Sequence, residues 1–368
     1  MIEMNVEPLR SMGLTPAMAL AAASTQLSTD DEAAGAAAPP QLVRVTEVHR
    51  DTLLVHDGVT ERKARPLPRL VHQLADERTA LAVGDWVVLI DDAYGDAWVH
   101  QRIAPLTHIA RRDADGRRHP VVSNVDTALL VMGLDDDYNP RRIERFLTLV
   151  QGQGVLPVVV LTKADIVEAQ RVKDALAELR ARLPVQVDVL ALNGLDPATT
   201  HGLAPYLAPG QTLVLLGSSG AGKSTLTNAL AGMRLQDTGA VREHDSRGKH
   251  TTTSRSLHRL PGGACVIDTP GLRTLRPDAD ESTLQAAFSD IAGLAAQCRF
   301  RDCQHGSEPG CAVREGVSPD RLRNYQKLQR ELRRDTLTVL ERQAQLAEWK
   351  VRGRAGHQRA RMKRGAEK

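Results

Sequence analysis

The sequence is short of four things. Aromatic residues make up 3% of its 368 positions, cysteine occurs four times, the net charge is only +3, and no apolar run approaches a membrane span. The last scarcity excludes a membrane-spanning helix, and the near-balance of charge gives no argument for nucleic acid by itself. The first residues are not expected to be an export signal, because Glu3 and Glu7 precede a short apolar stretch, Ala17 to Ala23, and carry the wrong sign. What remains is a chain long enough for two or three domains.

Two motifs stand out, and their order is unusual. The run Gly217-Ser218-Ser219-Gly220-Ala221-Gly222-Lys223-Ser224 fits G-x-x-x-x-G-K-[ST], with Thr225 beside it. It comes after the apolar strand Gln211 to Leu216 and opens a helix containing Leu226, Ala229 and Leu230. In that setting the glycines let backbone amides wrap phosphates, Lys223 reaches the β- and γ-phosphates, and the Ser224 hydroxyl ligates Mg²⁺. Asp268-Thr269-Pro270-Gly271 then closes the apolar strand Ala264 to Ile267. It reads as the Asp-x-x-Gly switch: Asp268 holds Mg²⁺ through water and the Gly271 amide senses the γ-phosphate. Between the two lies Arg247 to Thr253, where one of three threonine hydroxyls could complete the Mg²⁺ shell, with Thr252 chosen among them.

Base selection is expected from Thr162-Lys163-Ala164-Asp165, at the end of the strand Leu156 to Leu161. The Asp165 carboxylate can accept a guanine donor pair that adenine does not offer, and the Lys163 stem can cover the base. A supporting loop is expected at Asn193-Gly194, after the strand Val187 to Leu192. In an ordinary Ras-like domain the base loop comes last, whereas here it precedes the phosphate loop. A sheet whose termini lie close together survives such a circular permutation, and the chain leaving Gly271 then runs directly into the C-terminal region.

That region carries Cys298-x4-Cys303-x-His305-x5-Cys311. Three thiolates and an imidazole close a tetrahedral zinc site with no open position, which suits a structural metal. Disulfides are the rival reading, disfavoured for a P-loop enzyme without an export signal. Cys265 reads as a small core residue.

Together these elements resemble the ribosome small subunit-dependent GTPase A family, from about Gln41 to Leu332. Gly84-Asp85-Trp86-Val87, the base loop, Gly217 to Thr225, His250 to Thr253, Asp268 to Leu272 and Cys298 to Cys311 carry the likeness. The resemblance implies an α/β P-loop GTPase domain, circularly permuted, flanked by a small β-barrel (OB-fold) and an α-helical zinc-binding domain. It also implies a cytoplasmic, monomeric GTPase using GTP/GDP with Mg²⁺. Its partner would be the small ribosomal subunit and its rRNA, bound late in assembly and left on hydrolysis.

Two departures bear on mechanism. Thr162 replaces the usual Asn and loses an amide that ties the base loop to the P-loop, although similar threonines occur in the resembled family. Leu272 stands where Ras-like enzymes place a water-orienting Gln, so intrinsic hydrolysis is expected to be slow. His250 is the candidate for positioning the water, and the family pattern carries a histidine there; alternatively His250 packs or touches the ribosome. The catalytic set is thus His250, Lys223 and Thr252.

The expected organisation is a loosely ordered Ala-rich extension over 1–40, a barrel over 41–112, the GTPase domain over 113–280, a zinc-binding helical domain over 281–349 and a basic disordered tail over 350–368. Barrel strands are read at Val43 to Val48, Thr52 to Val55, Trp86 to Ile90 and Ala97 to His100. With only Trp86, Tyr94 and Trp98 as rings, RNA contact there is expected through the phosphate backbone, from Arg111, Arg112, Arg117 and Arg118. A barrel that touches only protein is the alternative. A helix from Asp320 to Trp349 buries Leu322, Tyr325, Leu328 and Leu332, and the tail could neutralise rRNA phosphates or merely keep the chain soluble. Two other functions stay open from the residues alone: a P-loop ATPase or kinase with a zinc module, and an RNA-binding scaffold with a weak nucleotide site.

Overall fold

The structure is a computed structural model and describes residues 2–26, 38–112, 118–194, 196–235, 255–271 and 276–336. Two short helices open it, α1 (Val6–Arg10) and α2 (Pro16–Ala23), the second started by Pro16 and capped by the Thr15 hydroxyl, which accepts from the Met18 amide at 3.2 Å. These helices overturn the expected loose extension over residues 2–26. Leu9, Met12, Leu14, Met18 and Ala22 are buried in the same core as Leu42, Trp86, Val214 and Ile267. Each large apolar side chain so buried contributes about 1.5–3 kcal/mol, enough to dock an Ala-rich segment that no local pattern holds in place.

The barrel comprises β1 (Gln41–Val48), β2 (Leu53–His56), β3 (Glu61–Pro66), the helix α3 (Pro68–Asp76), β4 (Trp86–Asp91) and β5 (Ala97–Arg102). Strand order β1-β2-β3-β5-β4 is closed by a β1–β4 pairing, leaving a small core of Val43, Val45, Val55, Val87, Leu89 and Val99. Next come β6 (His108–Arg112) and β7 (Arg118–Ser123). β6 lies outside the barrel that its sequence position suggested: it pairs with β7 and with a later strand in a separate three-stranded sheet.

The nucleotide half runs through β8 (Thr127–Gly133), α4 (Pro140–Val150), β9 (Leu156–Thr162), α5 (Ala169–Arg182), β10 (Asp188–Ala191), a 3-10 turn at Pro197–Tyr206, β11 (Thr212–Gly217), α6 (Lys223–Ala231), β12 (Ser256–Arg259) and β13 (Cys265–Asp268). Continuous apolar runs such as Leu129 to Met132 and Leu213 to Leu216 are buried on both faces, as parallel strands require. The order is β10-β9-β8-β11-β13-β12, parallel except for β12, so the strand carrying the phosphate loop is central although three strands of this half, β8 to β10, precede it in the chain. β12 also pairs with β1 through Glu47 and Ser256, which joins barrel and nucleotide sheet into one surface.

Arg44 fastens this junction. Its guanidinium is fully buried, lies 5.3 Å from the Trp86 ring, and donates to the carbonyls of Met12, Gly84 and Asn124 and to the Thr212 hydroxyl. One side chain thus satisfies acceptors from the N-terminal helices, the barrel, the lead-in to β8 and the start of β11.

Beyond Gly271 the chain forms β14 (Arg276–Pro277), which pairs with β6, then α7 (Glu281–Ala287), α8 (Ser289–Ala295), α9 (Ala312–Gly316) and α10 (Pro319–Thr336). Leu322, Tyr325, Leu328 and Leu332 are the buried face of α10, as their spacing predicts. The rest of that expected helix and the basic tail lie outside the described residues. Among the described residues no helix is long and apolar enough to cross a membrane.

Candidate nucleotide site and metal centre

The C-terminal ends of β8, β9, β11 and β13 converge on one edge, where open α/β sheets bind their ligands. β11 delivers Gly217 to Gly222 as a tight loop capped onto α6. A Cβ on Gly217 would fall 2.3 Å from the Val131 carbonyl oxygen, and Gly222 has φ +90°, so the loop needs glycine at both places. Lys223 folds back over it, its Nζ donating to the carbonyls of Ser218 at 2.7 Å and Gly217 at 3.1 Å. Burial lowers the Lys223 ammonium to about 8, against the opposing pull of Asp268 and Asp137.

Asp268 is wholly buried at the end of β13. Its Oδ2 lies 3.4 Å from the Ser224 hydroxyl, while Oδ1 is buried without a hydrogen-bond partner, and burial raises this carboxyl in spite of Lys223. A carboxylate oxygen orphaned beside a serine hydroxyl at the foot of a phosphate loop fits a divalent cation. The neighbouring Thr269 hydroxyl is pinned to the Leu215 carbonyl at 2.6 Å. Gly271 then packs on the phosphate loop itself, where an added Cβ would come 2.4 Å from the Ser219 amide nitrogen. The switch glycine and the phosphate loop therefore share one contact.

The base loop closes the third side, and here the structure corrects an expectation. Thr162 does tie the base loop to the P-loop, because its hydroxyl donates to the Ala221 carbonyl at 2.6 Å and does in one bond what an Asn amide would do. Lys163 sits at φ +60°, a conformation rare for a side-chain-bearing residue and frequent at ligand sites, and Asp165 is exposed at the rim. The Asn193-Gly194 loop also arrives, with the Gly194 position about one van der Waals contact from Thr225 (3.5 Å from an added Cβ).

Sequence reasoning missed two acids of the loop after β8. Asp135 accepts from Lys163 Nζ, and Asp137 accepts from both the Ser218 hydroxyl and Arg142. The signal available was an Asp135-Asp136-Asp137 run at the carboxyl end of a buried strand. Arg247 to Thr253, hence His250 and Thr252, and also Leu272 lie outside the described residues. So does Arg117, while Arg112 and Arg118, expected to meet RNA phosphates, both pair with Asp278, at 2.8 Å and 2.5 Å.

The four predicted metal ligands come together. One ligand atom from each of Cys298, Cys303, His305 and Cys311 lies within 4.8 Å of all the others. Cys298 Sγ is 3.7 Å from His305 Nδ1 and 4.0 Å from Cys311 Sγ, and Cys311 Sγ is 3.5 Å from the same nitrogen. A tetrahedron with Zn–S near 2.3 Å has edges of about 3.8 Å, so the spacing fits that ion. Glu308 shapes the loop by accepting from the amides of Gln304 at 3.0 Å and Gly306 at 2.7 Å, and Gln326 of α10 donates to the His305 carbonyl.

Helix α10 is clamped to the nucleotide half. Glu144 of α4 is 0% exposed and accepts from Arg321, Asn324 and Arg182, while Arg321 also grips Asp290 with two bonds of 2.7 Å. Arg145 pairs in the same way with Glu331, at 2.6 and 2.9 Å.

With this geometry in hand, similarity to known proteins is informative. The family described as RsgA GTPase matches residues 103–277. "Small ribosomal subunit biogenesis GTPase RsgA" from Xanthomonas oryzae pv. oryzae is 47% identical over 310 residues, covering 80% of this chain and 82% of that one. Its counterpart from Xanthomonas axonopodis pv. citri is 46% identical over the same length. Among solved structures, YjeQ from Thermotoga maritima aligns with a TM-score of 0.57 at 24% identity, covering 80% of this chain and 98% of that chain. YloQ, described as a circularly permuted GTPase, aligns with a TM-score of 0.54 at 23% identity, covering 81% and 96%. The two structures share the fold, and the sequence relatives go further: the chain belongs to the RsgA family of circularly permuted GTPases.

Proposed function

We propose that the chain is a GTP-driven maturation factor of the small ribosomal subunit, cytoplasmic and monomeric, which hydrolyses GTP in response to the subunit and leaves it afterwards. One observation carries the nucleotide half of this reading: the base loop and the switch each meet the phosphate loop directly, through Thr162 on Ala221 and Gly271 on Ser219. The subunit half rests on kinship with proteins named for biogenesis of that particle.

In this reading the amides of Ser218 to Ser224 cradle the phosphates and Lys223 neutralises the β- and γ-oxygens. Asp165 accepts the guanine donor pair, with Asn193 at the base and Lys163, steadied by Asp135, along its face. Ser224, Asp268 and, from the segment outside the described residues, Thr252 hold Mg²⁺. The ion, when bound, offsets charge that develops on the transferring phosphoryl group. Without a Gln at position 272 the water must be placed otherwise, and His250 is the residue proposed for it. Cys298, Cys303, His305 and Cys311 hold one structural zinc ion, and rRNA phosphates are met by Arg111 and Arg117 beside the barrel and by the C-terminal basic run.

Hydrolysis removes the γ-phosphate from Gly271. The same strand of chain runs on into β14, whose neighbour Asp278 holds Arg112 and Arg118 of the β6–β7 hairpin. Loss of one phosphate thus pulls on the hairpin and on the zinc-bearing helices beyond it.

The test is hydrolysis of GTP and of ATP by the purified chain, alone, with small subunits and with large subunits. Slow GTP turnover raised strongly by small subunits alone is the expected result. Preference for ATP overturns the base assignment, and indifference to subunits overturns the partner.

A further inference from the structure

A cavity of about 400 Å³ opens where the barrel meets the nucleotide sheet, a size ordinary for a small-ligand site. Val48, Leu81, Val83 and Val121 line it but expose little of themselves, Pro270 of the switch closes one side, and Arg255 supplies a guanidinium. His49 also lines it and is already paired, 3.1 Å from Glu47. Arg255 is different. Its Nε is buried with no hydrogen-bond partner, and so is that of Arg111 on β6, which lies outside the cavity lining and whose charge opposes that of Arg255. Neither makes an ion pair or a hydrogen bond to any acceptor among the described residues.

The most buried arginines of this chain face acceptors: Arg102, whose Nε also lacks a hydrogen bond, still lies 3.1 Å from Asp85. Arg44 donates to four acceptors and Arg321 to two carboxylates. Two neighbouring guanidiniums with buried, unmet donors are unfavourable unless an anion joins them, and a tetrahedral oxyanion can serve two forks where a carboxylate serves one. Burial, then the Arg111 charge, lowers the Arg255 guanidinium, which registers the same missing partner.

We propose that this cavity is a second anion site, separate from the phosphate loop, which takes the phosphate of a nucleotide unit on Arg255, with the Arg111 charge beside it. The unit is either a free mononucleotide or one residue of an RNA strand. Because Arg255 comes just after the switch segment 247–253 and Pro270 lies within Asp-x-x-Gly, occupancy and nucleotide state are linked, each altering the other by the same factor.

The experiment uses the full chain with excess Mg²⁺ and a non-hydrolysable GTP analogue filling the phosphate loop. Inorganic phosphate, uridine monophosphate and a single-stranded RNA decamer are titrated in turn, with equilibrium dialysis and Tm as readouts. The expected result is one further equivalent of phosphate or mononucleotide, weakened about tenfold or more by Arg255→Gln and partly kept by Arg255→Lys. Arg255→Gln leaves the Tm of the ligand-free chain unchanged or higher, since it removes a half-buried charge with no partner among the described residues. If the RNA decamer shows the same dependence on Arg255 and displaces the mononucleotide, the source is RNA; if only the mononucleotide does, the source is the free compound. Binding indifferent to Arg255, acetate equal to phosphate, or a lower ligand-free Tm in Arg255→Gln overturns the proposal. A failure of guanine binding would instead appear as phosphate uptake removed by Lys223→Ala, so the two readings fail separately.

Discussion

The buried charges of α4 and α10 and those of the nucleotide edge are arranged on opposite plans. At the helical interface Glu144, Arg321, Asp290, Arg182 and Asn324 complete one another, with no donor left over. At the nucleotide edge Asp268 Oδ1 is buried and unmet, and Lys163 and Gly222 hold left-handed backbone; at the barrel junction nearby the Nε atoms of Arg255 and Arg111 are buried and unmet as well. A charge cluster satisfied internally is a fixed joint, whereas one left incomplete is matched to something that arrives. The zinc-bearing helices are therefore fastened to α4 through Arg321 and Asn324 rather than hung from the chain alone.

The comparison can be broken on either side. Its largest test is the metal. Chelation, or Cys298→Ser, removes a term of about 10–16 kcal/mol in structural zinc sites and should open the segment after β14 to protease, while guanine nucleotide binding survives. Limited proteolysis with zinc analysis reads this out, and full resistance of the metal-free chain would contradict it. Glu144→Ala comes next. It strands Arg321 and should destabilise by about 3–5 kcal/mol, whereas pairing Glu144→Gln with Arg321→Met should cost less than the sum of the single changes in denaturant melts.

On the other side the losses should fall on function and leave the fold alone. Lys223→Ala should slow GTP hydrolysis by at least ~100-fold, about 2.7 kcal/mol or more of barrier, with a melting temperature equal to or above the parent's. Thr162→Ala leaves the Ala221 carbonyl unmet, about 1–3 kcal/mol, and should weaken GDP binding measured with a fluorescent analogue; Thr162→Asn should restore it. The smallest effect is pH. With the free-state Lys223 pulled down to about 8 by burial, binding of phosphate charge must take up a proton above that pH and none below it. GDP affinity should fall as pH rises through 8, and calorimetry in buffers of different ionisation heat should show the proton. Proton uptake at pH 7 would mean the lysine is not the group.

Much of this site was legible because phosphate loops and metal loops are contiguous: Gly217 to Ser224 and Cys298 to Cys311 carry their geometry in their spacing. Thr162 to Asp165 is contiguous as well, and the structure brings its first residue onto the phosphate loop. What stayed hidden depends on distant neighbours. The strand β3, Glu61-Arg62-Lys63-Ala64-Arg65-Pro66, buries only Ala64 and shows no apolar alternation. The N-terminal helices gain their stability from a surface 30 or more positions away, as in the Met12 carbonyl bonded to Arg44. Asp135 and Asp137 look like a solvated acidic turn until β8 aims them at Lys163 and Ser218. Arg112 and Arg118 look like open cations until Asp278, far along the chain, meets them.

Arg44 has a consequence for the order in which the chain can be made. Its acceptors emerge from the ribosome at positions 12, 84, 124 and 212, and the barrel strands are complete at Arg102. At roughly 5–20 residues per second, the barrel waits about 5–20 seconds for Thr212 with a half-satisfied guanidinium at its heart. The first part of the protein to be synthesised is thus finished only by the strand that brings the phosphate loop.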